Sequence, residues 1–418
     1  MARENSGRNS KKVKRSKADA GEYEVNSEAR RDNEQFNADL SRHHVQRNVG
    51  IALLIILVVG LVIYWFGYRL AQPYTYASTS WTSDIVTAES QQYTPFSDGI
   101  LQYSNNGATF YNESSKTVWS VSYDMSTPAV AVNEDYAVIY DQGAKTAVVL
   151  NAESGSIGNI ITEISITKAT ISAYGVSAFI VEEDLSNNML FFDKYGSQLD
   201  IEIKTLMSES GYPMDISFSP DGQMMIASFV YIDSGVMQNR IVFYSFDTTV
   251  NTSSHAVAAF QKYGDTLFVD VEFLGDDRAA AFGDGKIVIY SVKDSANPQE
   301  LITIEPEETI TNLAYNDKYI AFSTENGDLL QSKILYLYNS DGTMIFDETT
   351  SFDFETLYLG EQGVYLIGSS TMQYRNLKGL ELFTGSLECN ILQLVSPGKG
   401  TELLVVSNQA LKSFKLKR

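Results

Sequence analysis

The residues of this 418-residue chain best suited to chemistry are its carboxylates, which gather at Glu182-Glu183-Asp184, at Asp276-Asp277 with Asp284, and from Glu305 to Glu308. Two carboxyl groups at a fixed separation can hydrolyse a glycosidic bond, and six to eight oxygens on a rigid loop can hold Ca²⁺. None of the three groups follows the D-x-D-x-D-G spacing of a Ca²⁺ loop, so they read as solvated loops. His43 and His44 are adjacent, so neither a helix nor a strand presents them together, and His255 stands alone in the polar turn TTVNTSSH, where an exposed loop residue is expected. One such histidine leaves no credible Ser/His/Asp triad and removes the usual imidazole metal sites. The single cysteine, Cys389, sits beside Glu388 and lacks the positive neighbour that activates a thiol. It reads as a small, semi-buried hydrophobe, and no disulfide can form within the chain. No catalytic, metal-ligating or cofactor-binding residue is assigned, and no cofactor is expected.

Charge narrows the partners. Residues 1–50 hold 11 Lys and Arg against 8 Asp and Glu, a balance of +3, so with a chain total of −21 the remainder carries −24. Such a domain repels nucleic acid and other polyanions. A solvated, soluble surface is the simplest use of that charge.

The acidic part must be held somewhere, and residues 48–68 say where. VGIALLIILVVGLVIYWF lacks any charged side chain. About 20 such residues in a helix span the roughly 30 Å of a bilayer core. Tyr64, Trp65 and Tyr68 collect at one end, as ring side chains do near headgroups. The excess of Lys and Arg before the run predicts a cytoplasmic N-terminus and an extracytoplasmic C-terminal domain. A cleaved signal peptide is disfavoured by the 47 residues that precede the run and by its length. Residues 1–47 are expected to form a basic, largely disordered tail. Its cluster Lys11-Lys12-Val13-Lys14-Arg15-Ser16-Lys17 is either a contact for the inner leaflet or a cytoplasmic partner, or a topology signal alone.

Beyond the span, eight short runs echo one another: GATFYN (107–112), TAVVLN (146–151), NMLFFD (188–193), RIVFYS (240–245), KIVIYS (286–291), KILYLYN (333–339), TMQYRN (371–376) and QALKSF (409–414). Each follows another strand-like run, as in YAVIYD (136–141) or KYIAFS (318–323). Most also have a run upstream, such as DISFS (215–219), DVEFL (270–274) or TNLAY (311–315), and one downstream, such as VWSVSY (118–123). Four strands in a unit of about 40 residues make one propeller blade, with its central strands apolar on both faces because neighbours sandwich it. The fold class is therefore an all-β, eight-bladed β-propeller, with seven blades as the alternative.

Phe218-Ser219-Pro220-Asp221-Gly222 resembles the FSPDG turn of TolB-like and WD40-like propellers. Tyr111-Asn112-Glu113-Ser114-Ser115-Lys116-Thr117-Val118-Trp119 is similar to the turn of quinoprotein-like repeats, which docks a Trp between blades. Phe192-Asp193-Lys194-Tyr195-Gly196-Ser197 and Tyr338-Asn339-Ser340-Asp341-Gly342-Thr343 echo it without the Trp. A basic tail, one span and a propeller together resemble an uncharacterised family of single-pass, membrane-anchored propeller proteins from Firmicutes. The resemblance implies fold and location. A cofactor-bearing quinoprotein would carry adjacent cysteines or a full set of docking tryptophans, and beyond Trp81 there is only Trp119.

The last unit offers three strands before Arg418, which leaves its outermost place empty. Trp81 to Ser90 is expected to fill it, giving a tail (1–47), a span (48–68), a short stalk (69–80) and a propeller (81–418). Two functions follow. One is a non-catalytic protein-interaction or envelope-assembly scaffold, with protein partners on the propeller top face or the cytoplasmic tail, the membrane held through residues 48–68, and no nucleic acid. The other is an exported hydrolase acting on wall or carbohydrate substrates through carboxylates lining the channel. Carboxylates and tyrosines converging there with shifted pKa values would favour the second.

Overall fold

Runs of Val, Ile, Tyr and Phe bounded by Asn, Asp and Gly form strands because branched and aromatic side chains suit a pleated surface while the turn residues close hairpins. The computed structural model describes residues 48–69, 71–84, 91–112, 116–183, 186–208, 210–248, 250, 254–261, 263–327, 332–395, 402–408 and 410–418. The basic tail, His43, His44 and the stretch Asn251-Thr252-Ser253 lie outside the described residues. The chain divides into two units, Met1–Gln72 and Pro73–Arg418. In the first, helix α1 runs Asn48–Arg69, 22 residues that are long and apolar enough to cross a membrane. The Arg69 guanidinium lies 5.3 Å from the Trp65 ring centre.

The second unit holds eight four-stranded antiparallel sheets, the blades of an eight-bladed propeller. We number the blades 1 to 8 along the chain and call their strands inner, second, third and outer. The eight echoed runs are the third strands, from Gly107–Tyr111 in blade 1 to Ala410–Lys417 in blade 8. In three of them the closing polar residue caps the turn that follows in the same way: Asp193 Oδ1 accepts from the N–H groups of Tyr195 and Ser197, and Asn339 and Asn376 do the same two and four residues on.

Alternate side chains of the second and third strands face opposite neighbours, so the core is a ring of eight inter-blade clusters. In blade 4, Ile226, Ile241 and Phe243 pack against blade 5, while Ala227, Phe229 and Val242 pack against blade 3. The eighth cluster joins Val395, Leu404, Val406 and Leu411 of blade 8 to Ile100 of blade 1, so the ring closes. At about 25 cal/mol per Å² of apolar surface removed from water, these clusters are the main source of stability.

Blade 8 takes its inner three strands from the chain's end and its outer strand from Tyr76–Asp84. Tyr76 pairs with Lys417 and Asp84 with Ala410, with one irregularity between Thr79 and Trp81. This strand overlaps the expected Trp81 to Ser90 only in its last four residues, and residues 85–90 lie outside the described residues. The shift follows from length: the eight-residue third strand Ala410–Lys417 leads its partner back to Tyr76. The register is held beyond the strand by the Thr75 N–H, which donates to Lys417 O at 2.7 Å.

Candidate functional site

The inner strands of blades 3 to 6 share an irregularity. Their pairing with the second strands shifts between Ile166 and Lys168, Pro213 and Asp215, Phe268 and Asp270, and Ile310 and Asn312. The inner strands of blades 1, 2, 7 and 8 pair with their second strands without a shift. A β-bulge bends the strand and re-aims the side chain that follows it. Here it puts Lys168, Asp215, Asp270 and Asn312 at one position in four consecutive blades, a polar belt on the inner wall.

Each member of the belt reaches a neighbouring blade. Lys168 Nζ lies 2.9 Å from Asp215 Oδ1, and Asp215 Oδ2 accepts the Val271 N–H at 2.9 Å. The Tyr315 hydroxyl of blade 6 donates to Asp270 Oδ2 at 2.9 Å. Asn312 Nδ2 donates to the backbone oxygen of Glu355, at the entry to blade 7, also at 2.9 Å. Two residues past the bulges, Ser217 donates to Glu272 Oε1 at 2.5 Å, and the Phe273 N–H donates to the same oxygen at 3.1 Å.

Burial sets the protonation of these groups. Surrounding protein pushes Asp270 up to about 6, and the neighbouring Asp215 carboxyl, within hydrogen-bond reach, adds to the rise. Burial also pushes Glu272 up to about 7, against the Ser217 hydrogen bond that favours its charged form. Burial opposes the charge on Lys168, but Asp215 outweighs it and the ammonium is held above its usual value. Burial raises the Tyr315 phenol, and Asp270 raises it further, so Tyr315 stays a donor. A carboxyl that keeps a proton near neutral pH can serve as a general acid, and two adjacent carboxyls can share one proton.

Substrate access is a separate matter. A cavity of about 510 Å³ opens beside Lys168, between Thr127, Gln142, Tyr212 and Met214, but Asp215, Asp270 and Glu272 are not in its wall. Among the described residues, no three His, Cys, Asp or Glu side chains are placed to hold a metal ion.

The carboxylate groups visible in the sequence lie elsewhere. Glu182 and Glu183 are exposed at the end of a second strand, and Asp184 is outside the described residues. Asp276 and Asp277 precede the second strand Arg278–Gly283 of blade 5 while Asp284 follows it, so they sit at opposite ends of one blade. Glu305 pairs with Lys286 at 2.5 Å, with the remainder of its group on the same exposed loop. His255 is half-buried rather than exposed. Its Nδ1 lies 3.2 Å from Ser245 O and its ring 5.6 Å from that of Phe246, because it immediately precedes the outer strand Ala256–Gln261 of blade 4. Cys389 is partly buried against the cluster between blades 7 and 8, and burial raises its thiol pKa. Trp119 packs between blades 1 and 2 and donates through Nε1 to Ala152 O at 2.9 Å.

The belt itself escaped the sequence reading. Its signal was the alternation Asp215-Ile-Ser217-Phe and Asp270-Val-Glu272-Phe within inner strands, where the turned-in positions are polar or charged. Nothing in single strands announces a bulge, which becomes visible only when the blades are aligned on it.

A family model described as "Family of unknown function (DUF5711)" matches residues 70–416. No curated protein matches the chain. Among solved structures, BamB from Moraxella catarrhalis is 12% identical, with 82% of this chain and 99% of that one covered at a TM-score of 0.50. Sqt1 from Chaetomium thermophilum is 10% identical, with 81% and 98% covered at a TM-score of 0.53. At such identities the likeness carries the propeller fold alone.

Proposed function

We propose that this chain, which belongs to the DUF5711 family of unknown function, is a membrane-anchored, non-catalytic scaffold for protein interaction or assembly in a bacterial cell envelope. In this reading helix α1, long and apolar enough to cross a membrane, serves as the anchor, and the 11 Lys and Arg of residues 1–50 support a cytoplasmic N-terminus with the propeller outside. One observation carries the scaffold reading: the inner-wall carboxyls are engaged in ties between blades and stand outside the wall of the adjoining cavity. What remains for partners is the loop surface, where Tyr174 and Tyr195 of blade 3 are exposed.

The test is crosslinking in cells from a photoreactive residue at Tyr174 or Tyr195, with reciprocal capture from the partner found. A defined partner crosslinked at one face supports the scaffold. No crosslinked protein from any loop face contradicts it. Orientation is tested separately, by labelling Tyr174→Cys in a Cys389→Ser background with a membrane-impermeant maleimide. Labelling of intact cells is expected, and labelling only after lysis would reverse the topology.

A second reading, an exported hydrolase of wall or carbohydrate substrates, draws on the Asp215–Asp270 pair and on protons retained near neutral pH. It requires the channel to admit a substrate to Asp270. Release of product from peptidoglycan or polysaccharide by the purified chain, lost in Asp270→Asn, would establish it.

A further inference from the structure

The hairpin between the second and third strands of blade 4 outgrows its counterparts. Met224–Asp233 and Val236–Ser245 have ten residues each. The second strands described in the other blades have five to seven, and the third strands five to eight. Pairing of the second strand with the inner strand ends at Val230 with Tyr212, and pairing of the third with the outer strand ends at Arg240 with Gln261. Residues 231–239 therefore continue as a two-stranded ribbon with no inner or outer strand beside it. At strand rise, the three residues from Val230 to Asp233 carry its tip about 10 Å past the inner strand. The tip is built to keep its shape. Asp233 pairs with Val236 across Ser234 and Gly235, whose φ values of +53° and +85° belong to a two-residue hairpin turn matched to strand twist.

The ribbon is apolar on both faces. Ile232 and its register partner Met237 share the face that continues from Ile226 and Ile241 on the blade 5 side, while Val236 lies on the face that continues from Phe229 and Val242 on the blade 3 side. In the body of the blade a neighbour seals each face. At the tip neither is sealed: Ile232 is 77% exposed and Val236 54%. Among the described residues, nothing lies within 4 Å of where a Cβ on Gly235 would sit. Single exposed apolar residues are ordinary on a surface, but two on opposite faces of one projecting ribbon call for cover on both sides.

Charge selects what covers them. The strands of a blade run alternately up and down, so the turn from second to third strand lies at the same end as the connection into the next inner strand. At that end Glu182 and Glu183 of blade 3, Asp233 at the tip and Asp265 at the entry to blade 5 are all exposed. A second copy would bring another domain carrying −24 against this end, so like charge opposes self-association and favours a basic partner.

We propose that this hairpin is a docking finger: it inserts into an apolar cleft of a partner protein, which covers Ile232 and Val236 on their two faces and presents Lys or Arg to Asp233, Glu182 and Asp265. This role rests on the scaffold reading and gives it one end of the propeller and a partner chemistry. Tyr174 and Tyr195 stand at the opposite end, in a first-to-second turn and a third-to-outer turn.

The test places photoreactive benzoylphenylalanine at Ile232 of the full chain in cells, with Tyr174 as the reference position, and re-forms the complex from the full chain in lipid nanodiscs and the purified protein found. A protein adduct is expected from position 232. Ile232→Ser with Val236→Ser should weaken the complex at least about tenfold and leave the thermal transition of the chain unchanged, because both side chains are already exposed. Ile232→Leu with Val236→Ile, which keeps the tip apolar, should bind as the native chain does. Raising salt from about 0.05 M to about 0.5 M should weaken binding at least about threefold. An adduct from Tyr174 with none from position 232 overturns the finger and leaves the scaffold standing, whereas no adduct from any loop position removes both. Crosslinking of two copies of the chain, undiminished binding by the serine variant, or binding indifferent to salt would each overturn the finger.

Discussion

Blades 3 to 6 and blades 7, 8, 1 and 2 share one plan of strands and one kind of apolar seam, but they differ at the inner wall. The first group carries a bulge in every inner strand and a polar belt behind it. The second group has regular inner strands and includes the seam where the two ends of the domain meet. There the ring is held by the pairing of Tyr76–Asp84 with Ala410–Lys417 and by Arg418, 4.7 Å from the Tyr74 ring centre. A cluster that resembles a reactive centre thus arises from a backbone irregularity repeated blade by blade. Its carboxyls are raised because they are enclosed while tying blades together, so a shifted pKa alone does not make them catalytic.

The comparison breaks most completely at the seam. Removing residues 76–84 takes the outer strand from blade 8 and exposes an edge. Loss of a cooperative thermal transition, with aggregation, is expected by calorimetry and light scattering, and an unchanged transition would show that the pairing with Ala410–Lys417 does not hold the ring. In the bulged half, Asp215→Ala removes the hub that receives Lys168 and the Val271 N–H. Unpairing a buried amide and a partly buried ammonium should cost about 2–4 kcal/mol in urea unfolding. A cost under about 0.5 kcal/mol, the size of an ordinary surface change, would mean that the belt ties nothing.

A pH titration sharpens the contrast further. Asp270 and Glu272 bind protons more tightly folded, at about 6 and about 7, than an unfolded carboxyl does at about 4. Their contribution is therefore fully present below about pH 4 and is lost as pH rises through 6 and 7. Asp270→Asn with Glu272→Gln keeps the acceptors for Tyr315 and Ser217 while removing both charges. The pair of substitutions should raise stability at pH 8 by on the order of 2 kcal/mol and flatten its dependence between pH 5 and 8. A parallel, unflattened curve would place these titrations elsewhere. The smallest effect belongs to blades 1 and 2, where Trp119→Phe loses one hydrogen bond to Ala152 O but keeps most of the ring packing. About 1 kcal/mol is expected in urea unfolding, with a cost near zero removing Trp119 as a tie.

Much of this architecture was legible in the sequence because blade strands repeat a local pattern. The third strands announced themselves through apolar runs ending in Asn, Asp or Ser, and in three of them that polar residue caps the turn in the same way. Trp119 and the turn at Ser219-Pro220-Asp221-Gly222 also announced themselves: Ser219 O accepts the Gly222 N–H at 2.8 Å, and Gly222 has φ +67°. The closing strand was displaced by five residues because register depends on the length of a partner more than 300 residues away. The belt was hidden for a related reason: Lys168, Asp215, Asp270 and Tyr315 come from four blades. The described acidic residues of the dense acidic runs are exposed, where local charge density reports solvation.

In the proposed scaffold, the inner-wall carboxyls hold the ring and perform no chemistry. This is tested most directly by replacing the native chain in cells with Asp270→Asn/Glu272→Gln and measuring complementation of the deletion phenotype at matched protein levels. Full complementation is predicted, because both hydrogen-bond acceptors survive and the blades stay tied. A folded, correctly located double variant that fails to complement would contradict the account and move the chain to the hydrolase reading.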